Sequence, residues 1–385
     1  MLERLQQGRV PAKPHTVFHS DSGGLLYEEC VTRGGFEGAY TIVYHQHRPH
    51  AARAIPAPCQ FRVPRAEPER ALLRRHYRCG EVSRAGEHST LDGRVPLLFS
   101  RELVLGFVQP TQDDRVYFVN ADGDELFYVH EGSGQLRSPQ GDLTFNQGDY
   151  VLVPKGTLYR VLLGASDRHA LLWLESHVDF GIPPTFKNGA GQLRMDAPYS
   201  HRDFRTPEFK GPNDEGLRDV VVKRGSRFFG FRFEHSPLDL VGWDGAVYPV
   251  VLPILAFQPR VGQIHLPPTA HMTFQSRSLI VSSFVPRPLD FHESANPCPY
   301  PHSSVDVDEV LFYSAGSFLS RRGIGAGSLS HHPAGIPHGP HPGAYESGPT
   351  KRSTDELAVM LDSSLPLEAT PEAVSIEDAA YHESF

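Results

Sequence analysis

One pattern occurs twice in this chain, and a pattern repeated over that length constrains the fold to two related units. The later copy begins at His302, passes Ser304, Asp308 and Glu309, and reaches Gly316 seven residues after Glu309. It resumes with Gly327, Pro333, Gly335 and His338. The earlier copy has Asn120, Asp122, Asp124, Glu125, Gly132, Gly148, Pro154, Gly156 and Tyr159 in the same order. Both keep the spacing Gly-x5-Pro-x-Gly-x2 before the last position, and matching positions lie 179 to 184 residues apart. Only the later copy keeps histidines. The pattern therefore predicts one metal-competent unit and one unit that has lost its ligands.

The elements between turn signals are short. Runs rich in β-branched and aromatic residues occur at 39–44, 115–119, 125–130, 149–154, 158–163, 246–255, 279–285 and 310–313, each ended by Gly, Pro, Asn or Asp. With 35 Gly and 34 Pro in 385 residues, such runs predict an all-β chain of sandwiches or barrels. The best helix candidate is 65–77, RAEPERALLRRHY. The expected organisation is an N-terminal region with the first repeat over 1–180, an irregular connector over 181–245, the second repeat over 246–370 and a loosely held acidic tail over 371–385.

A net charge of −8 supplies no basic field for nucleic acid or anionic membranes, so neither partner is expected. No apolar run reaches 18 residues, and the first residues lack the apolar stretch of a secretion signal. Cys30, Cys59, Cys79 and Cys298 are scattered without a CxxC pair, which fits reduced thiols in a cytoplasmic protein.

Strands joined by tight turns can set two histidines and one carboxylate around a point. Two imidazoles and one carboxylate on one face leave open positions that suit Fe(II) with a substrate and dioxygen. His302, Glu309 and His338 meet that requirement. Asp308 is the rival carboxylate, because neighbours in a strand point to opposite faces and only one of the two can reach the ion.

These spacings resemble the two motifs of the cupin family, G-x5-H-x-H-x3,4-E-x6-G and G-x5-P-x-G-x2-H-x3-N, with Ser304 in place of one histidine. The chain as a whole resembles the homogentisate 1,2-dioxygenases, which are two-part cupin proteins. The likeness is carried by LLYEECVTRGGFEG near the N-terminus, Ile264-His-Leu-Pro-Pro-Thr269, Pro299-Tyr-Pro-His302, Ile336-Pro-His-Gly-Pro340 and LAVMLDSSLPLEAT at 357–370. The resemblance implies a bicupin fold with Fe(II) held by His302, Glu309 and His338. It implies His265 as the catalytic histidine, and Tyr300, with His338, at the substrate. It further implies a small aromatic acid and dioxygen as substrates, and a homo-oligomer, trimeric or hexameric.

Two departures stand out. The His302-to-Glu309 interval is one residue longer than in the family's better-known branch, which keeps Asp308 in play. The segment after Gly316 (SFLSRRGIGAG) lacks that branch's aromatic and lysine residues, which leaves the ring substituents open. A gentisate-type dioxygenase, a metal-dependent isomerase and a non-enzymatic bicupin are the competing functions. His271 is the rival acid/base. His331, His332 and His341 are expected beside the site. His45, His47 and His50 have metal-like spacing but no evident carboxylate partner, and are expected to be surface or interface histidines.

Overall fold

The computed structural model describes residues 3–68, 70–82, 86–296, 300–318, 323–348 and 351–385. Cys298, Pro299 and part of the segment after Gly316 lie outside them. The chain is all-β and built as two cupin-like units. Strands expected at 125–130, 149–154, 158–163, 279–285 and 310–313 are found at Asp124–Glu131, Asp149–Val153, Leu158–Leu163, Leu279–Phe284 and Asp308–Ala315.

The two copies of the template share their strand neighbours. Asp124–Glu131 lies between Asp149–Val153 and Ala170–Ser176, all antiparallel. Asp308–Ala315 lies in the same way between Ser328–His332 and Leu357–Ser363. The glycine that follows each central strand is left-handed, Gly132 at φ +87° and Gly316 at φ +89°. A Cβ there would stand 2.7 Å from the Arg168 carbonyl oxygen at Gly132 and 2.2 Å from that of Asp355 at Gly316. Both the φ and the approach exclude other residues, which is why the template keeps a glycine at this point.

Alternation along the central strands sorts side chains into two compartments. Leu126 and Tyr128 from one copy and Val310 and Phe312 from the other meet in a shared core between the two units. The Tyr128 hydroxyl donates to Ser314 Oγ at 2.8 Å across that interface. Phe127, Val129 and Val151 point the other way. They close a second core with Phe118, Leu136 and Val161 of an opposing sheet.

Sequence order and packing order differ at four places. The helix expected at 65–77 is absent among its described residues; Arg75–Arg78 is instead an edge strand of the second unit, paired with Ser328–His331. Strand pairing and ion pairs outweigh the local helix preference. Second, the connector expected to be irregular contains the strands Asp219–Arg224, Arg227–Arg232 and Leu240–Gly245. The first of these pairs in parallel with Tyr117–Asn120, and such non-local pairing leaves no period-two signature in a charged segment. Third, Val250–Pro253 pairs with Asp149–Val153 of the earlier copy, so the two units exchange strands.

The fourth difference is the tail. It is a folded clasp: Pro371–Ser375 is a short helix capped by the Thr370 side chain, and Ala373, Ile376 and Tyr381 are buried. Its acids meet the basic segment that was expected to be a helix, Glu377 with Arg75 at 2.6 Å and Asp378 with Arg78 at 3.0 Å. Truncation after Thr370 should cost at least about 3 kcal/mol, from the exposed partners of Ile376 and Tyr381 alone. Denaturant unfolding measures this, and a truncated chain as stable as the full one would show that the tail is dispensable.

Candidate metal centre

Glu309 is the second residue of its strand. It therefore shares a face with Leu311 and Tyr313, and all three line a cavity of about 240 Å³. His302 and His338 come from loops that are tied to each other: each residue's N–H donates to the other's carbonyl at 2.8 Å. The glycine after His338 permits this approach, since a Cβ on Gly339 would stand 2.7 Å from Pro301 Cα. Ligand atoms of His302, Glu309 and His338 lie within 4.8 Å of one another. His302 Nε2 is 3.7 Å from Glu309 Oε2, and His338 Nε2 is 3.5 Å from Glu309 Oε1.

The other ring nitrogens face backbone oxygens, His302 Nδ1 to Tyr300 at 3.1 Å and His338 Nδ1 to Ile336 at 3.4 Å. A carbonyl only accepts, so each Nδ1 carries a proton and each Nε2 is left facing Glu309, where it donates to the carboxylate when protonated and offers a lone pair to a cation when neutral. His338 Nε2 is buried and has no hydrogen-bond partner. An orphaned imidazole lone pair beside a carboxylate is what a divalent cation would satisfy, so these residues fit a metal.

Burial pushes the Glu309 carboxyl up, but His302, His332 and His338 outweigh it and hold it well below the usual carboxylate range. The anion is thus available at neutral pH. His332 donates to Glu309 Oε1 through Nδ1 at 2.8 Å, and its Nε2 meets the Tyr381 hydroxyl at 3.2 Å, so the C-terminal clasp helps to orient the carboxylate. Asp308 points away and is spent on structure. It accepts from the N–H groups of Ala334 and Leu367, both at 2.8 Å, and from His331 Nε2 at 3.1 Å. Asp362, opposite Glu309 on the neighbouring strand, is pushed up to about 7 by burial and by the Glu309 charge. Tyr381 and Asp362 carry no signal in the local motif; both reach the site through pairing across the chain.

His265 and Tyr300 line the same cavity, their rings 5.4 Å apart at the centroids. His265 Nδ1 lies 3.6 Å from Asp290. Burial pulls the His265 pKa below the usual value, while Asp290 opposes this. His271 also lines the cavity but is almost wholly buried, with its ring 4.7 Å from that of Phe284. Burial, with Arg287 and His265 nearby, pushes it down to about 3.

In the earlier copy Glu125 faces inward as Glu309 does, but no ion could join it. The buried Arg94 guanidinium donates to Glu125 Oε1 at 2.5 Å and to the Tyr159 hydroxyl at 2.8 Å, and Tyr159 in turn donates to Glu125 Oε2 at 2.6 Å. Four aromatic rings, of Phe61, Phe118, Phe127 and Trp173, surround the guanidinium at 4.8 to 5.2 Å. Asn120 binds Glu175, and Asp122 binds Lys223. A fixed cation stands where the template would place a metal. Arg94→Met should destabilise the chain by about 3–5 kcal/mol, because it leaves Glu125 buried without its counter-charge. Chemical denaturation tests this, and a loss below about 1 kcal/mol would mean that Glu125 is protonated or rehydrated at little cost.

The histidines at 45–50 depart from expectation. His45 and His47 share a carboxylate partner, Asp239, and His235 joins His47 beside it. The partners lie about 190 residues away in sequence, so no local spacing could show them.

Known proteins resemble the chain over different stretches. The family described as "Homogentisate 1,2-dioxygenase N-terminal" matches residues 104–253. The chain is 34% identical over 379 residues to "Putative dioxygenase SSO1533" of Saccharolobus solfataricus, covering 98% of this chain and 97% of that protein. It is 26% identical over 273 residues to the homogentisate 1,2-dioxygenase of Bradyrhizobium diazoefficiens, covering 67% of this chain and 60% of that enzyme. Among solved structures, a cupin 2 conserved barrel domain protein from Leptotrichia buccalis aligns over 77% of this chain with 10% identity and a TM-score of 0.33. With 34% identity to a putative dioxygenase over nearly the whole chain and a family match over residues 104–253, the chain belongs to the homogentisate 1,2-dioxygenase family.

Proposed function

We propose that the protein is an Fe(II)-dependent ring-cleaving dioxygenase that opens homogentisate, or a close hydroquinone carboxylic acid, as in the breakdown of tyrosine and phenylalanine. The observation that carries this reading is the set His302, Glu309 and His338, of which His302 and Glu309 line a cavity that also holds His265 and Tyr300. Two imidazoles and a carboxylate would hold the ion; bound Fe(II) supplies a centre at which dioxygen and an electron-rich ring meet.

The chain's own groups supply the rest. Of the two cavity histidines outside the ligand set, His265 is half-buried and paired with Asp290, so it can take a phenolic proton and share the resulting charge with a carboxylate. His271 is held too far down by burial to do so near pH 7. Arg260, Arg287 and Lys351 also line the cavity and favour an acidic substrate. Tyr300 stands between His265 and His302, where a flat ring would pass.

The experiment is oxygen uptake by iron-loaded protein over a panel of dihydroxy aromatic acids, with maleylacetoacetate assayed as the product from homogentisate. Uptake with homogentisate is the expected result. Uptake with gentisate alone would move the protein to a different cupin dioxygenase activity. No uptake with any member would overturn the enzymatic reading.

A further inference from the structure

The Tyr40–His45 strand pairs with Leu240–Gly245, and His45 stands opposite Leu240. That register sets the residue before Leu240 beside the residues that follow His45. Asp239 is almost wholly buried, and its two oxygens have separate duties. Oδ1 meets His45 Nδ1 at 2.8 Å, and Oδ2 accepts from the His47 backbone N–H at 3.0 Å with His47 Nδ1 at 3.3 Å. His235 lies four residues before Asp239, and its ring stacks on that of His47 with centroids 4.2 Å apart. One ligand atom from each of His47, His235 and Asp239 falls within 4.8 Å of the other two.

Three features go beyond a hydrogen-bonded surface cluster. First, His235 Nδ1 donates to the Ser236 carbonyl at 2.8 Å, so its Nε2 carries the lone pair, and that buried atom has no hydrogen-bond partner. Second, the carboxylate is oriented from behind. His45 bridges Asp239 and Glu29, the latter at 3.0 Å from Nε2, in the manner of the outer partners that fix metal-binding side chains. Third, acidic residues flank the opening: Asp214 and Glu234 line the open basin outside His47 and His235, and the nearby Arg48 is turned over the Tyr27 ring.

We propose that His47, His235 and Asp239 form a second metal site, separate from the cavity site, for a divalent first-row cation of borderline softness such as zinc. Two imidazole nitrogens and one carboxylate oxygen are the donor set of three-ligand zinc sites, which leave a fourth position open. Calcium and magnesium prefer oxygen-only shells and would not select two histidines. The site borders a second cavity, of about 350 Å³, walled by Val220, Phe231 and Phe233 beside His235 and Asp239. The open position thus has room for water or for a small donor.

The test is titration of metal-free, full-length protein with zinc against a chromophoric chelator, with cobalt(II) absorption as a second readout. The wild type should bind two zinc ions per chain. His338→Ala, which disables the cavity site, should keep one. His47→Ala and His235→Gln should each weaken that remaining ion by about 100-fold or more, since loss of a direct ligand should exceed the 10–100-fold typical of an outer partner. His47 is exposed, so its replacement removes only the stack on His235 and the contact with Asp239, and circular dichroism checks the fold. His50→Ala, an exposed neighbour outside the set, should bind as the wild type does. The proposal is overturned if His338→Ala binds no zinc. It is overturned equally if His47→Ala and His235→Gln both bind zinc like the wild type, or if His50→Ala loses it as they do.

Discussion

Glu309→Gln should empty the protein of iron and abolish oxygen uptake, while Asp308→Asn should keep both and lose stability. The two residues are adjacent, yet the strand sends them to opposite faces. Glu309 lies 3.5 to 3.7 Å from the Nε2 atoms of His338 and His302, and His332 holds its other contact. An amide at 309 removes the carboxylate of the His302–Glu309–His338 set, and iron affinity should fall by more than about 100-fold. Asp308 accepts three hydrogen bonds, two of them from backbone N–H groups that would otherwise be orphaned. An amide there can serve only part of that set, at a cost of about 1–3 kcal/mol. Iron content by atomic absorption and thermal unfolding of both variants separate the cases. His302→Ala and His338→Ala should match Glu309→Gln in iron and activity. The reverse pattern, iron lost in Asp308→Asn and kept in Glu309→Gln, would mean that the strand runs in a register shifted by one residue.

The longer interval before Glu309 is what kept Asp308 a rival in the sequence, and the structure shows why spacing alone does not choose. Residues 303–307, which separate His302 from the strand, all lie ahead of Asp308, so the length of that stretch does not decide which strand residue stands opposite His332 and Asp362. The template itself was legible because its glycines answer to backbone geometry: Gly132 and Gly316 hold the same φ and the same close approach in both copies. Tyr159 was legible as a lost ligand. Arg94, which takes the place of an ion in the earlier unit, was not, since it lies 31 residues from Glu125 outside any motif. The clasp between the tail and the 62–78 segment was also hidden. Its basic and acidic halves lie about 300 residues apart, and each alone reads as a solvated charged run. The same holds for His235 and Asp239, which become partners of His47 only through the pairing of Tyr40–His45 with Leu240–Gly245.

His265→Ala should leave iron in place and slow turnover by about 10²–10⁴-fold, the range for loss of a general acid/base. His265 is outside the ligand set, so the metal does not depend on it; it lines the same cavity wall and meets both Asp290 and Tyr300. Its ring is neutral before a proton arrives, because burial holds its pKa below the usual value, and Asp290 stabilises the charge once it does. Asp290→Asn should therefore act in the same direction but more weakly, lowering the turnover rate and shifting the acid limb of its pH profile to lower pH, since the imidazolium loses its counter-charge. His271→Ala offers the contrast. With its ring packed beside Phe284 and Phe257, that side chain serves the cavity wall, and its removal should lower stability by opening a void while the pH profile keeps its shape. Iron content, steady-state oxygen uptake with homogentisate and the pH dependence of the turnover rate, measured on all three variants, distinguish the roles. A His265→Ala variant as active as the wild type, beside a His271→Ala variant that has lost turnover with its iron intact, would exchange the two assignments. Equal activity in both would remove histidine from the proton transfer, since no other histidine outside the ligand set lines that cavity among the described residues.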